Sequence, residues 1–318
     1  AWGRRRLLRI VGKAESFRRL LRLMGGRQQT KRSNLLRSMA LVTVMVVSIA
    51  AAQDAADFRV PPYLQNPRAD GMTIVWFSEG PEPGQLTFAD STGAERTLES
   101  TPILAETLTY LRQENGLFDN NQPPPPPYKH RIELDGLAPG TAYEYHVAQG
   151  TSRFSSTFVT APDRESSVRF VVFGDSETEP ESTGATVSWE DPSSVVSRQY
   201  LIDQTQGYAN NIDVITDRQP DLVVIAGDLV EAGGEQRDWD EFWLHATNDD
   251  RHESLAGHVP FIAAPGNHEY YAGIGGGYNQ TASEGAINRF RTYFEYPPNH
   301  SPNAEQEGRY FRLDYGPV

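Results

Sequence analysis

Val168-Arg169-Phe170-Val171-Val172-Phe173-Gly174-Asp175-Ser176-Glu177 is an apolar run that ends in Gly-Asp, and the pattern recurs twice downstream. Leu222–Ala226 runs into Gly227-Asp228-Leu229-Val230-Glu231, and Val259–Ala264 runs into Pro265-Gly266-Asn267-His268-Glu269. Short runs rich in Val, Ile, Phe and Ala read as buried strands. A glycine at the end of such a strand lets the chain turn sharply. The next side chain then stands at the carboxyl edge of the sheet, where open α/β proteins place their ligands. A single Gly-Asp carries little weight, because Asp is an ordinary turn and N-cap residue. Three such turns in order bring Asp, Asp and Asn-His to one crevice. Hard oxygen donors beside an imidazole read as a metal site.

Between these strands the spacing predicts helices, and hence parallel neighbours in the sheet. Ser194–Arg218 reads as a helix ended by Pro220. Trp239, Phe242, Trp243 and Ala246 fall at i, i+3, i+4 and i+7, an amphipathic helix whose aromatics read as core rather than substrate contacts. Ile287, Phe290 and Phe294 mark a further helix, and Tyr310–Tyr315 reads as a returning strand. The polar, acidic stretch Glu177–Pro192 and the glycine-rich Tyr270–Tyr278 follow the first and third turns. They would rim a pocket, or serve as plain surface loops. The glycine cluster lacks the Lys-Ser or Lys-Thr of a phosphate loop.

Upstream of a polar linker at 162–167, the chain is β-rich. Met72–Phe77, Gln85–Phe88, Tyr128–Leu134, Tyr143–Val147 and Phe154–Thr160 are strand candidates separated by turn residues. Leu134-Asp135-Gly136-Leu137-Ala138-Pro139-Gly140-Thr141-Ala142-Tyr143 resembles the tyrosine corner of fibronectin-type sandwiches. Pro123–Pro127 reads as a stiff surface loop between strands.

The ordered set G-D, G-D-x-x, G-N-H-E resembles the calcineurin-like metallophosphoesterases. The preceding β-rich segment, with its Pro61-Pro62-Tyr63-Leu64 opening, is similar to the N-terminal domain of purple acid phosphatases. The resemblance covers about residues 58 to 318. It implies an all-β fibronectin type III-like sandwich at 58–161, followed by an α/β metallophosphoesterase domain at 168–318, an incomplete α/β/β/α sandwich. It also implies a metal-dependent phosphoric ester hydrolase of the acid phosphatase type. Two divalent or trivalent ions of the Fe, Zn or Mn type would hold a hydroxide that attacks a phosphate monoester. Asp175 would bind one metal, Asp228 would bridge both and Asn267 would bind the second. His268 would face the phosphate, oriented by Glu269.

Two positions depart from the family pattern. Where many members have D-x-H, this chain has Asp175-Ser176-Glu177; where purple acid phosphatases have a tyrosine, it has Glu231. A purple ferric centre is therefore not expected. Glu177 or Glu231 would supply a substitute carboxylate ligand, or else both are solvated loop residues. The resemblance also implies later metal-binding histidines, including a G-H-x-H element, and none of the seven histidines lies in such a context. On that reading the chain is truncated before them, the fragment is inactive alone, and part of its apolar sheet face and strand edges is uncovered and prone to aggregate.

Residues 1–38 carry twelve Lys or Arg and one acidic residue, Glu15. The uncharged run Met39–Ala52 follows, ending Ala50-Ala51-Ala52-Gln53. A basic region, a short apolar segment and a small-residue end read as a secretory signal peptide occupying 1–52, and hence a secreted or periplasmic protein. The run is short against the roughly 20 residues of a membrane span, so no stable insertion is expected after cleavage. Beyond residue 52 the balance is 17 basic against 41 acidic side chains, a net charge of −24. Such a surface repels nucleic acid and suits small phosphate esters met by metal cations. With no cysteine there is no disulfide framework. A phosphodiesterase or nucleotidase with the same centre is the rival enzyme. A fibronectin-like binding protein with a degenerate phosphatase domain is the rival of another class.

Overall fold

The computed structural model describes residues 58–180, 185–190, 197–247, 254–303, 306 and 310–318. The leader and signal peptide expected at 1–52 lie outside the described residues. By contacts the chain divides into two units, and the described residues of 54–115 and 123–318 all belong to one of them. In the other, Asp119–Asn121 forms a short 3-10 turn.

The amino-terminal part is a sandwich of two antiparallel sheets. One sheet is ordered β1 (Phe58–Arg68), β2 (Gly71–Ser78), β6 (Tyr128–Asp135) and β5 (Ile103–Leu104). The other is ordered β4 (Glu95–Glu99), β3 (Gln85–Ala89), β7 (Ala142–Gln149) and β8 (Ser152–Val159). The five expected strands are present, with ends moved by one or two residues. Pattern reading passed over β1, whose two prolines disguise it, and the short, exposed β4 and β5. The tyrosine corner forms as expected, with Ala138 N donating to Tyr143 Oη at 2.8 Å. Pro123–Pro127 is an irregular connection whose last carbonyl accepts from Ala105 N at 2.9 Å.

Every residue of β2 is buried, which a two-sided burial explains. Because side chains alternate across a strand, Met72, Ile74 and Trp76 fill the sandwich core while Val75 and Phe77 point the other way. There they join one core with Trp239, Phe242, Trp243, Phe290 and Tyr293 of the α/β part. Polar contacts cross the same seam. Tyr63 Oη donates to Tyr293 O at 2.6 Å, Gln65 Nε2 to Phe261 O at 2.9 Å, and Tyr145 Oη to Gly257 O at 2.7 Å.

The α/β part is built on a parallel sheet ordered β13 (Phe261–Ala263), β12 (Leu222–Ile225) and β9 (Phe170–Phe173). Val171, Phe173, Val223, Ile225, Phe261 and Ala263 form the face that packs into the shared core. The helices are α1 (Gln204–Asp217), α2 (Gln236–Thr247), the single turn α3 (Leu255–His258) and α4 (Gln280–Tyr293). The aromatics of α2 are buried core residues, as their spacing predicts. On the other sheet face Leu222 and Ile262 are covered by Phe311, Leu313 and Tyr315, while Phe170 and Val172 remain 45% and 55% exposed. None of the described helices is long and apolar enough to cross a membrane.

The structure departs from the sequence reading at three places. The helix expected from Ser194 begins only at Gln204, where Asp203 Oδ1 caps Gln206 N at 2.7 Å. The stretch before it is a strand, β11 (Ser197–Ile202), paired antiparallel with β10 (Ala185–Glu190). β10 therefore lies inside the stretch Glu177–Pro192 read as loop. In that ladder Val187 is paired with Tyr200 and Thr186 with Leu201, residue types that favour strands. Finally, Tyr310–Tyr315 keeps the strand alternation but not the ladder: Phe311, Leu313 and Tyr315 pack in one direction with no strand partner among the described residues. The segment closes in a turn, Tyr315 N to Val318 O at 2.9 Å, with Gly316 left-handed at φ 59°.

Candidate metal centre

Because β9, β12 and β13 run parallel, their carboxyl ends lie at one edge and their following turns meet there. The turns interlock through the backbone. Asp175 N donates to Gly227 O at 3.2 Å and Glu177 N to Asp228 O at 3.1 Å. Gly227, at φ 102°, passes so close to the third turn that a Cβ there would stand 2.7 Å from both Cα and N of Gly266. Asp175, Glu177 and Asp228 are left-handed at φ 54°, 40° and 53°, an uncommon state for non-glycine residues. Such strain persists only where the surroundings impose it, and it collects at functional sites.

Glu269 is fully buried beneath this crossing. Its Oε2 accepts from Gly266 N at 2.6 Å and Asp228 N at 3.0 Å, and its Oε1 from Leu229 N at 2.8 Å. Burial pushes its carboxyl above the usual carboxylate range, and the three donors only partly offset that. Glu269 therefore ties the second turn to the third. The group that holds the His268 ring is the Glu231 carbonyl, which accepts from Nδ1 at 2.6 Å.

With Nδ1 so engaged, His268 Nε2 faces Glu177 Oε1 at 3.7 Å. His268 N donates to Asp228 Oδ1 at 2.8 Å. Burial pulls the imidazole pKa down, but the Glu231 carbonyl and the Glu177, Glu231 and Asp228 carboxylates outweigh it, leaving the pKa above the ordinary histidine value. One ligand atom each from Glu177, Asp228 and His268 lies within 4.8 Å of the others. Donors about 2.0–2.6 Å from a common cation stand at most about 5 Å apart, so the Glu177 and Asp228 carboxylates are close enough to share one divalent ion, with the His268 imidazole beside it.

The structure thus brings Glu177, Asp228 and His268 together, with Glu231 Oε2 3.9 Å from His268 Nδ1. Asp175 and Asn267 lie on the same turns and are exposed, and Asp175 is not part of that trio. Asn267 Nδ2 donates to Tyr278 Oη at 3.1 Å, which leaves its Oδ1 for another partner. Pattern reading missed Gln204, the first residue of α1, whose Nε2 donates to Glu177 Oε2 at 3.2 Å and Glu231 Oε2 at 3.4 Å. No motif marks a residue that reaches two carboxylates each 27 positions away. Tyr278 was visible only as part of a loop.

Residues 168–317 match the family model for calcineurin-like phosphoesterase, and residues 59–161 match that for the purple acid phosphatase N-terminal domain. The α/β part, residues 168–317, belongs to the calcineurin-like phosphoesterases. This is a family of metal-dependent phosphoesterases that generally use a dinuclear centre. Among solved structures, the chain is similar to PhoD, with 12% identity, 82% of this chain and 49% of that chain covered, and a TM-score of 0.44. It thus spans about half the length of that protein. Its other likenesses include the sensor domain of the anti-sigma factor RsgI4 in Pseudobacteroides cellulosolvens, with 12% identity, 35% and 99% coverage and a TM-score of 0.22. Chicken CNTN1 FN1–FN3 domains show 12% identity, 31% and 30% coverage and a TM-score of 0.18. No curated protein matches the chain.

Proposed function

We propose that this protein is an exported, acid phosphatase-like enzyme that hydrolyses small phosphate monoesters. The observation that carries the reading is the convergence of Glu177, Asp228 and His268 at the carboxyl edge of the parallel sheet. The donor set is mostly carboxylate and amide oxygen, suited to hard or borderline cations. Asp175, Asp228, Asn267 and the substitute carboxylate Glu177 would hold the ions. Bound there, metal ions supply Lewis acidity and an activated water.

The protein's own residues do the rest. Glu269 keeps the second and third turns in contact, and with them the spacing of Asp228 from His268. The Glu231 carbonyl fixes the ring so that Nε2 points into the space beside Glu177 and Asp228. In that position His268 can hydrogen-bond a phosphoryl oxygen or give a proton to the departing one. The excess of acidic side chains disfavours polyanions and leaves small esters as the substrates that reach the centre.

The test compares a phosphate monoester with a diester, using the full-length protein that carries this chain, loaded with Mn2+, Zn2+ or Fe, before and after chelation. Chelator-sensitive monoester turnover, abolished together with metal uptake in Asp228→Asn, is the expected result. Diester turnover above monoester turnover would replace the reading with a phosphodiesterase. Hydrolysis untouched by chelation and by Asp228→Asn would remove the metal centre from it.

A further inference from the structure

Two tyrosines stand beside the metal centre without being among its ligands. Tyr271 and Tyr278 bracket the glycine-rich turn that follows Gly266-Asn267-His268-Glu269. Their ring centroids are 5.0 Å apart at a 38° tilt, and Tyr271 meets the His268 ring edge-on at 6.2 Å. Tyr278 is 59% exposed, although its hydroxyl is held at 3.1 Å by Asn267 Nδ2. A tyrosine anchored by its polar end at a candidate ligand, with its ring left open, presents an aromatic face next to the reacting group.

The pair is also held in place. Gly234 N donates to Tyr271 O at 3.0 Å, Ala272 N to Gly277 O at 2.9 Å, and Ile274 N to Glu235 Oε1 at 2.8 Å. Gly276 and Gly277, at φ 137° and 59°, make the return that brings Tyr278 back over Tyr271. A surface formed before substrate arrives loses little entropy on binding. Buried aromatics elsewhere in the chain fill the core; this pair does not.

We propose that Tyr271 and Tyr278 form a leaving-group subsite that selects phosphate monoesters whose ester oxygen is borne by an aromatic ring. The proposal rests on the phosphoesterase reading and names the substrate class of that site. Tyr278 reaches Asn267 directly, so a ring attached to the ester oxygen itself meets the tyrosine face. An alkyl group has no comparable flat surface to offer. In the reaction, water forms the new phosphorus–oxygen bond and the bond to the aryl oxygen breaks. The leaving phenolate takes a proton originating from water, giving inorganic phosphate and a phenol.

The experiment measures binding of phenylphosphonate and methylphosphonate to the Mn2+-loaded protein by calorimetry, alongside hydrolysis of phenyl phosphate, glycerol 2-phosphate and adenosine 5′-monophosphate. Phenylphosphonate should bind about 5- to 10-fold more tightly than the methyl compound, a stacking-sized preference. Tyr278→Ala should erase that preference and lower kcat/KM for phenyl phosphate by a similar factor, with glycerol 2-phosphate changed far less. Tyr278→Phe, which loses the Asn267 bond but keeps the ring, should retain the preference. Equal affinity for the two phosphonates, loss of the preference in Tyr278→Phe, or a kcat/KM for the nucleotide above that for phenyl phosphate would each overturn the proposal. If no ester is hydrolysed but the phenyl preference holds and depends on the Tyr278 ring, the phosphoesterase reading fails and the subsite stands.

Discussion

Gly227→Ala tests whether the metal centre depends on the close crossing of its turns. The new Cβ would stand 2.7 Å from the Gly266 backbone, about 0.7 Å short of ordinary van der Waals contact. Neither side of that contact is a flexible side chain, so the second and third turns must separate. Alanine at φ 102° adds backbone strain of about 1–3 kcal/mol, and overpacking adds a similar amount. About 4 kcal/mol of destabilisation is expected, a large share of the roughly 5–15 kcal/mol that holds a domain together. The separation also lengthens the bonds from His268 N to Asp228 Oδ1 and from Asp228 N to Glu269 Oε2. Metal affinity should therefore fall by about 10-fold or more. Urea denaturation of the metal-free protein reads the first effect and calorimetric titration with Mn2+ the second. The matched control is Gly285→Ala, where a Cβ on the helix meets nothing within 4 Å. That variant should be more stable by roughly 0.5–1 kcal/mol. A Gly227→Ala protein within about 0.5 kcal/mol of the parent, and binding Mn2+ equally well, would refute the reasoning.

His130 is fully buried, stacked on Trp76 at 4.9 Å and bonded to the Ser78 and Ser100 hydroxyls at 2.7 and 2.8 Å. Burial lowers its pKa to about 4. Between the unfolded value near 6.5 and pH 4 the unfolded chain binds a proton that the folded chain does not, so this contribution is full above about pH 6.5 and falls by at most about 3 kcal/mol as pH drops to 4. Urea midpoints measured from pH 7 to 4 should show this loss, and His130→Phe should flatten that part of the curve. Gln204→Ala should weaken Mn2+ binding about 10-fold with little change in stability, because it frees the Glu177 and Glu231 carboxylates, and unchanged affinity by calorimetry would remove Gln204 from the centre. Tyr63→Phe leaves the Tyr293 carbonyl without its buried donor and should cost about 1–2 kcal/mol by urea denaturation, loosening the seam between sandwich and helices.

Much of this arrangement is written locally. Strand-Gly-Asp and strand-Gly-Asn-His-Glu place ligands at a sheet edge because a short apolar run and a following glycine have few alternatives, so the three turns were legible from residue order. The tyrosine corner and the core face of α2 were legible for the same reason, since each depends on spacing within one element. The hairpin of β10 and β11 was not, because its residues become strands only by pairing with each other. Tyr310–Tyr315 shows the converse, with strand-like alternation but no ladder partner among the described residues.

Partnership across the chain was decided by tertiary structure alone. Sequence singled out Glu269 and His268 together, but packing sent the Glu269 carboxylate to three backbone donors and gave His268 the Glu231 carbonyl. Sequence left Glu177 open between ligand and loop residue; the left-handed backbone at that position brings it beside Asp228 and His268. Gln204 and Tyr278 carry no motif, and only folding sets them against the carboxylates and Asn267. The physical reason is one of range. Backbone sterics and hydrophobic periodicity act over a few residues and can be read along the chain. A hydrogen bond between side chains far apart in sequence exists only after burial of the core has fixed where each element lies.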